Sequence, residues 1–240
     1  MTDRADHYRS VWESYWGTLS GASGEAFWDS DPAFGAAIDL PRFEGHADRG
    51  LPLVDVGCGN GTQTRFFAQH FQRVIGVDVS EEAVARAARA NPAPGVEYRA
   101  LDVLKPAQAR ALHDELGDVN VYVRAVLHTF LPPDRPPAVA SLHTLLGRRG
   151  TLFLLELAPT AEGYFHSLIT RYGAPPPGLA KVLQHGITPA TFGPGDVDAL
   201  FGEDRFQVLG AGEGAIRTTH ALPDGGHAEV PAIYRVMRAR

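Results

Sequence analysis

The sequence predicts an α/β fold built on a mostly parallel sheet, and three observations carry that prediction. An apolar run, Leu51-Pro52-Leu53-Val54-Asp55-Val56, leads into a turn that holds Gly57, Gly59 and Gly61. A second apolar run, Val74-Ile75-Gly76-Val77, ends in Asp78. Further apolar runs then alternate with helix-like segments as far as Leu157. Such alternation implies right-handed crossovers and parallel strands.

Taken in order, Tyr8, Trp12, Tyr15, Trp16 and Leu19 recur at helical spacings and form one stripe of an amino-terminal helix. A turn-rich stretch with Phe27, Trp28 and Phe34 follows. The first strand, 51–56, reads as buried on both faces, and a helix follows it to about Phe71. The second strand is 74–78. Ser80 caps the next helix, which Asn91-Pro92 ends. The third strand, 96–101, stops at Asp102 and leads to a helix around 105–116. The fourth strand is 119–123. A proline-rich run opens a helix of 136–147, and the fifth strand is 151–157. Residues 158–205 are too long for one simple crossover and carry a short helix near 194–201. The sixth strand lies near 206–209, and the turn Pro223-Asp224-Gly225-Gly226 reverses the chain into a last strand at 232–237.

Bulk properties narrow the function. The chain has 240 residues, 44% hydrophobic and 21% charged, enough for one α/β domain with a large core. A net charge of -6, without Lys or Arg runs, argues against a nucleic-acid partner. No apolar stretch approaches the length of a membrane span, and the charged amino terminus lacks an apolar signal core. The lone cysteine, Cys58, excludes an internal disulfide and suits a reducing, cytoplasmic setting. We read the chain as a single domain, 1–240: a helical lid (1–50), a cofactor-binding core (51–157), a substrate cover (158–205) and a closing β-hairpin (206–240).

The glycines select the ligand. Together with Asp78 they read as a nucleotide or nucleoside site: backbone N–H groups for one end, a carboxylate for ribose hydroxyls. A dinucleotide fingerprint wants its third glycine where Thr62 stands. No Tyr-x-x-x-Lys or comparable hydride-site pair supports a nicotinamide oxidoreductase either. The spacing Asp55-x-Gly57-x-Gly59-x-Gly61 instead resembles the first motif of class I, Rossmann-like S-adenosylmethionine (SAM)-dependent methyltransferases of the small-molecule, natural-product type. The resemblance covers roughly 51–157, and the order of elements continues it.

That resemblance implies seven strands with the last antiparallel and helices on both faces. It places Asp55, Gly57, Gly59 and Gly61 against the methionine part of SAM and Asp78 on both ribose hydroxyls. It places Asp102 at the adenine amino group and Val79 and Val103 on the adenine faces. Arg124 falls beside the cofactor, and His128 points toward the transferred methyl. Where the family often carries an acid on this segment, the chain has Val119, with Asp118 next to it. That departure weakens an acid- or metal-dependent mechanism. No H-x-x-x-H pair or cysteine cluster suggests a metal, so SAM is the expected cofactor and no metal is expected.

Other readings stay open. Asp102 is otherwise a helix cap, and His128 either a general base or a locally bonded helix residue. The aromatic stripe either packs the first helix or closes over the site, with Tyr15, Trp16 and Trp28 as pocket contacts and His166 as a further substrate contact. The expected reaction is in-line methyl transfer to a small molecule or short peptide, with oxygen the favoured acceptor. The alternatives are a nitrogen or carbon acceptor, or a SAM-binding protein without activity. The stripe suits a homodimer interface equally well.

Overall fold

The computed structural model describes residues 4–22, 25–187 and 192–240, and only the backbone of Thr219 and His220. The chain opens with α1 (Arg4–Thr18) and α2 (Ala36–Phe43). It then alternates through β1 (Leu53–Val56), α3 (Thr62–Phe67), β2 (Val74–Asp78), α4 (Glu81–Ala90) and β3 (Val96–Ala100). The alternation continues through α5 (Pro106–Leu116), β4 (Asn120–Arg124), α6 (Arg135–Leu146) and β5 (Thr151–Leu157). Helices α7 (Ala161–Tyr172), α8 (Pro177–Gln184) and α9 (Pro194–Leu200) precede β6 (Phe206–Ala221) and β7 (His227–Ala239).

The strands form one seven-stranded sheet in the order β3-β2-β1-β4-β5-β7-β6. β1 to β5 pair in parallel, and β7 runs antiparallel to both β5 and β6. This is the expected α/β, Rossmann-like sheet. From β1 the chain winds outward through β2 and β3, then returns to place β4 on the other side of β1. The crevice above the carboxyl ends of β1 and β4 is therefore the topological switch point, where ligands of such sheets bind.

Successive strand residues point to opposite faces, so the sheet has two cores. One is aromatic: Phe43, Phe67, Tyr122 and Phe153 pack with ring centroids 4.7 to 6.3 Å apart. The other is aliphatic, with Val54, Val121, Leu152 and Leu154 set against Leu142 and Leu145 of α6. Packing both faces fixes the strand ends, and with them every residue at the crevice.

Several elements depart from the sequence reading. Helix α2 forms where the sequence predicts only a turn-rich stretch, its buried Ala36, Leu40 and Phe43 sharing a helical face. Helix α8 begins inside the proline run, with Pro176 as its cap and Pro177 in its first turn, where the missing N–H costs nothing. The closing strands are far longer than 206–209 and 232–237. β6 continues through the glycine-rich Gly210–Gly214 stretch, where the glycines make room. A Cβ on Gly212 would stand 2.7 Å from the Tyr234 ring, and one on Gly214 would crowd Arg42 and Leu155. No helix among the described residues is long and apolar enough to cross a membrane.

Candidate active site

β1 ends in a turn whose Gly57, Gly59 and Gly61 have φ of 72°, 54° and 81°, the left-handed region that favours glycine. Gly57 and Cys58 both donate N–H bonds to Val77 O, at 2.8 and 3.0 Å, which ties the turn to β2. Asp78 at the end of β2 accepts the Gly59 N–H on Oδ2 and the Ser80 N–H on Oδ1, each at 3.0 Å. A carboxylate offers about four acceptor positions, so both oxygens keep capacity for a ligand. Burial pushes the Asp78 pKa up to about 6, against the opposing pull of those N–H groups. Asp55 lies deeper, bonded to the Thr64 hydroxyl, and burial pushes it up to about 7. Cys58 is buried and its thiol is held protonated by burial, a small packing residue.

Above this turn lies a partly open cavity. Its floor comprises Gly57, Gly59, Asp78, Val79, Asp102 and Val103, from the ends of the first three strands. Arg124, at the end of β4, stands beside it and donates to the Trp28 carbonyl and the Ser30 hydroxyl, both at 3.2 Å. The Arg124 Nε is buried and has no protein partner. Asp102 accepts the Leu104 N–H at 2.9 Å and lies 3.9 Å from Lys105 Nζ. The donor set fits a nucleoside with a charged amino-acid tail: a carboxylate for the ribose, two valines and a second acid for the base, an incompletely bonded guanidinium for the tail.

The roof is α1. Tyr8, Trp12 and Trp16 face the cavity. A Cβ on Gly59 would stand 2.8 Å from the Trp16 ring, so the second glycine admits the indole as well as any ligand. The helix is latched along its length. Glu13 accepts the Ser80 hydroxyl at 2.6 Å and the Glu82 N–H at 3.2 Å, Tyr8 donates to Asp134 at 3.0 Å, and Lys105 pairs with Asp6 at 3.2 Å.

A second cavity shares Trp12, Trp28, Ala125 and Thr129 with the first. His128 stands in its wall, on the single helical turn after β4. Its Nδ1 lies 2.7 Å from Oε2 of Glu156, which is fully buried near the end of β5. The same carboxylate accepts the N–H groups of Val126, Leu127 and His128, at 3.1, 2.7 and 3.2 Å. Only a carboxylate could accept from that many donors, so the network assigns the His128 proton to Nδ1 and leaves Nε2 as an acceptor. The turn is tight: Ala125 has φ 62°, the sole non-glycine in the left-handed region among the described residues.

Four sequence expectations need correction. Asp55, expected against the methionine part of the cofactor, is bonded to Thr64 and does not line the cavity. Gly61 does not line the cavity, because its Cα face is covered by Tyr98, whose hydroxyl would lie 2.6 Å from a Cβ there. Tyr15 is not a pocket contact. It falls on the inner side of α1, fully buried against Trp12, Trp16, Trp28 and His185. His166 is exposed on α7 and lines neither cavity; its neighbour Phe165 faces the second one instead. Trp16 and Trp28 do reach the cavities. Sequence reasoning missed Glu156 and Glu13. The first had a signal, a lone acid inside the apolar run TLFLLEL.

Comparison with known proteins gives a consistent picture. A family profile described as a methyltransferase domain matches residues 54–154. A solved SAM-dependent methyltransferase from Anabaena variabilis is 40% identical, with a TM-score of 0.91 over 100% of this chain and 96% of that one. The magnesium protoporphyrin IX methyltransferase of Synechocystis, solved with bound SAM, shares the fold at 17% identity, with a TM-score of 0.60 over 99% of this chain and 98% of that one. The ubiquinone biosynthesis O-methyltransferase of Pseudomonas paraeruginosa is 27% identical over 125 residues, 50% of this chain and 50% of that protein. This chain spans 24% to 50% of the length of the first curated relatives it matches.

Proposed function

This chain belongs to the SAM-dependent methyltransferases, and from that premise we propose that it methylates an oxygen of a small molecule or short peptide, with His128 as general base. The observation that carries the proposal is the placement of His128. It stands in the wall of a second cavity that adjoins the cofactor cavity, and Glu156 holds its Nδ1. The Gly57–Gly59 backbone and Arg124 would hold the amino-acid tail of SAM, Asp78 its ribose, and Val79, Val103 and Asp102 its adenine. Held there, SAM would supply an electrophilic methyl for the acceptor oxygen, its sulfur keeping the electron pair of the bond given up.

What remains for the protein is alignment, dryness and one proton. Alignment lowers such barriers by up to about 7–11 kcal/mol in ideal cases. The aromatic roof excludes water from the transfer. His128 Nε2 takes the hydroxyl proton, and the Glu156 carboxylate stabilises the imidazolium that forms. A cytoplasmic setting and a role in natural-product metabolism belong to the same proposal; the single buried cysteine supports the first.

Titration calorimetry with SAM, S-adenosylhomocysteine and NAD tests the cofactor. Binding of the first two without the third is expected, and NAD binding alone would refute the reading. His128→Gln then tests the base: about 10²–10⁴-fold slower transfer to a hydroxyl is expected, with S-adenosylhomocysteine affinity unchanged.

A further inference from the structure

We propose that the second cavity is the acceptor chamber and that it takes an uncharged, mainly apolar ring compound presenting a hydroxyl to His128 and Thr129. The inference rests on the methyltransferase reading and goes beyond it to the substrate class. Four elements far apart in sequence supply the walls: Phe27 before α2, Phe165 on α7, Leu179 and Val182 on α8, and Ile216 on β6. Among the described residues, no Asp, Glu, Lys or Arg lines it. An ionised acceptor would enter without a counter-charge, and burying an unpaired charge is strongly unfavourable. Aromatic and branched aliphatic walls favour a flat apolar body.

The polar groups present are matched to a donor. His128 Nδ1 is committed to Glu156, which leaves Nε2 bare. The Thr129 hydroxyl spends its proton on Val126 O, at 2.7 Å, so toward the chamber it can only accept. The remaining side-chain polar groups are the indole N–H groups of Trp12 and Trp28, on the wall shared with the cofactor cavity. Two acceptors, one of them able to take the proton, suit an O–H and oppose a carboxylate, which carries no proton to give. A peptide is disfavoured as well, because its backbone donors and acceptors would outnumber the partners available.

The test uses the full chain saturated with S-adenosylhomocysteine and four probes on one ring: 2-naphthol, 2-naphthoate, 2-naphthylmethylammonium and 2-methoxynaphthalene. Quenching of the tryptophans reports binding. The naphthol is expected to bind at least about tenfold tighter than each of the others, a difference of about 1.4 kcal/mol. Thr129→Val should weaken naphthol and leave the methyl ether unchanged. Val182→Phe, which fills the chamber, should abolish naphthol binding at unaltered S-adenosylhomocysteine affinity, and that affinity also reports correct folding. Equal or tighter binding of the naphthoate or the ammonium, or binding of none of the four, overturns the assignment. Failure of S-adenosylhomocysteine itself to bind overturns the methyltransferase reading instead, so the two failures are distinguishable.

Discussion

Replacing Glu156 by Gln exchanges one oxygen for a nitrogen and keeps the shape. The wild-type carboxylate accepts four N–H groups, two of them on Oε2, from His128 N and His128 Nδ1. A glutamine can keep the Val126 and Leu127 bonds on its one oxygen. Its NH2 then faces two donors. The imidazole escapes by moving its proton to Nε2 and accepting at Nδ1, but the His128 backbone N–H has no such exit. One buried orphan donor costs about 1–3 kcal/mol. Loss of charge assistance on the other bonds adds about 1 kcal/mol. The sum, about 2–4 kcal/mol, corresponds to a fall in Tm of about 4–16 °C for a chain of this size. The kinetic effect is larger, because the tautomer that relieves the clash places a proton on Nε2, where a base must be bare. Transfer to a hydroxyl acceptor should fall by about 10²–10⁴-fold. S-adenosylhomocysteine affinity should hold, since Glu156 does not line that cavity. Thermal melts and kcat/KM against pH measure both effects. A variant with unchanged Tm and activity within about threefold would show that Glu156 neither carries the turn nor sets the imidazole.

Two further outcomes follow from the cofactor cavity. Burial holds the Asp78 pKa at about 6, above its ordinary value of 3.8, so the folded chain binds more protons there than the unfolded chain between those pH values. From this group, stability of the unliganded protein falls as pH rises through that window. Ribose hydroxyls need the ionised form, so SAM affinity should weaken below pH 6 with proton release on binding. Calorimetry at pH 5.5 in two buffers of different ionisation enthalpy measures it, and Asp78→Asn should abolish both affinity and proton release. Gly59→Ala places a methyl 2.8 Å from the Trp16 ring at φ 54°. The backbone strain alone costs about 1–2 kcal/mol, and the indole must also retreat. Tryptophan emission should shift to the red and SAM bind at least about tenfold more weakly; unchanged emission would show that Trp16 does not rest on this glycine.

The sheet was legible because β1, β2, β4 and β5, buried on both faces, are written mostly in apolar residues, and acids follow or end two strands at Asp78 and Asp102. The glycine turn was legible for a related reason: three left-handed residues leave little chemical choice. What escaped were residues whose meaning depends on distant partners. Nothing local distinguishes Tyr15 from Trp16 on one helix, yet one faces the core and the other the cavity. Gly61 matches the spacing, but Tyr98 from β3 claims its open side. The full length of β6 escaped because the reason for a glycine such as Gly212 is the Tyr234 ring across the hairpin. Glu156 was legible in principle, since a carboxylate inside TLFLLEL must be answered by donors from elsewhere.

Trp12 and Trp28 stand in the walls of both cavities, with α1 latched over them. On the proposed function, cofactor and acceptor would therefore meet the same two indole rings, and the binding of each would be felt by the other. Such coupling is reciprocal: the factor by which cofactor tightens acceptor binding is the factor by which acceptor tightens cofactor. Loss of the methylated product would then end that reinforcement and leave the spent cofactor to its own contacts. One helix over two rooms would thus link departure of the first occupant to release of the second.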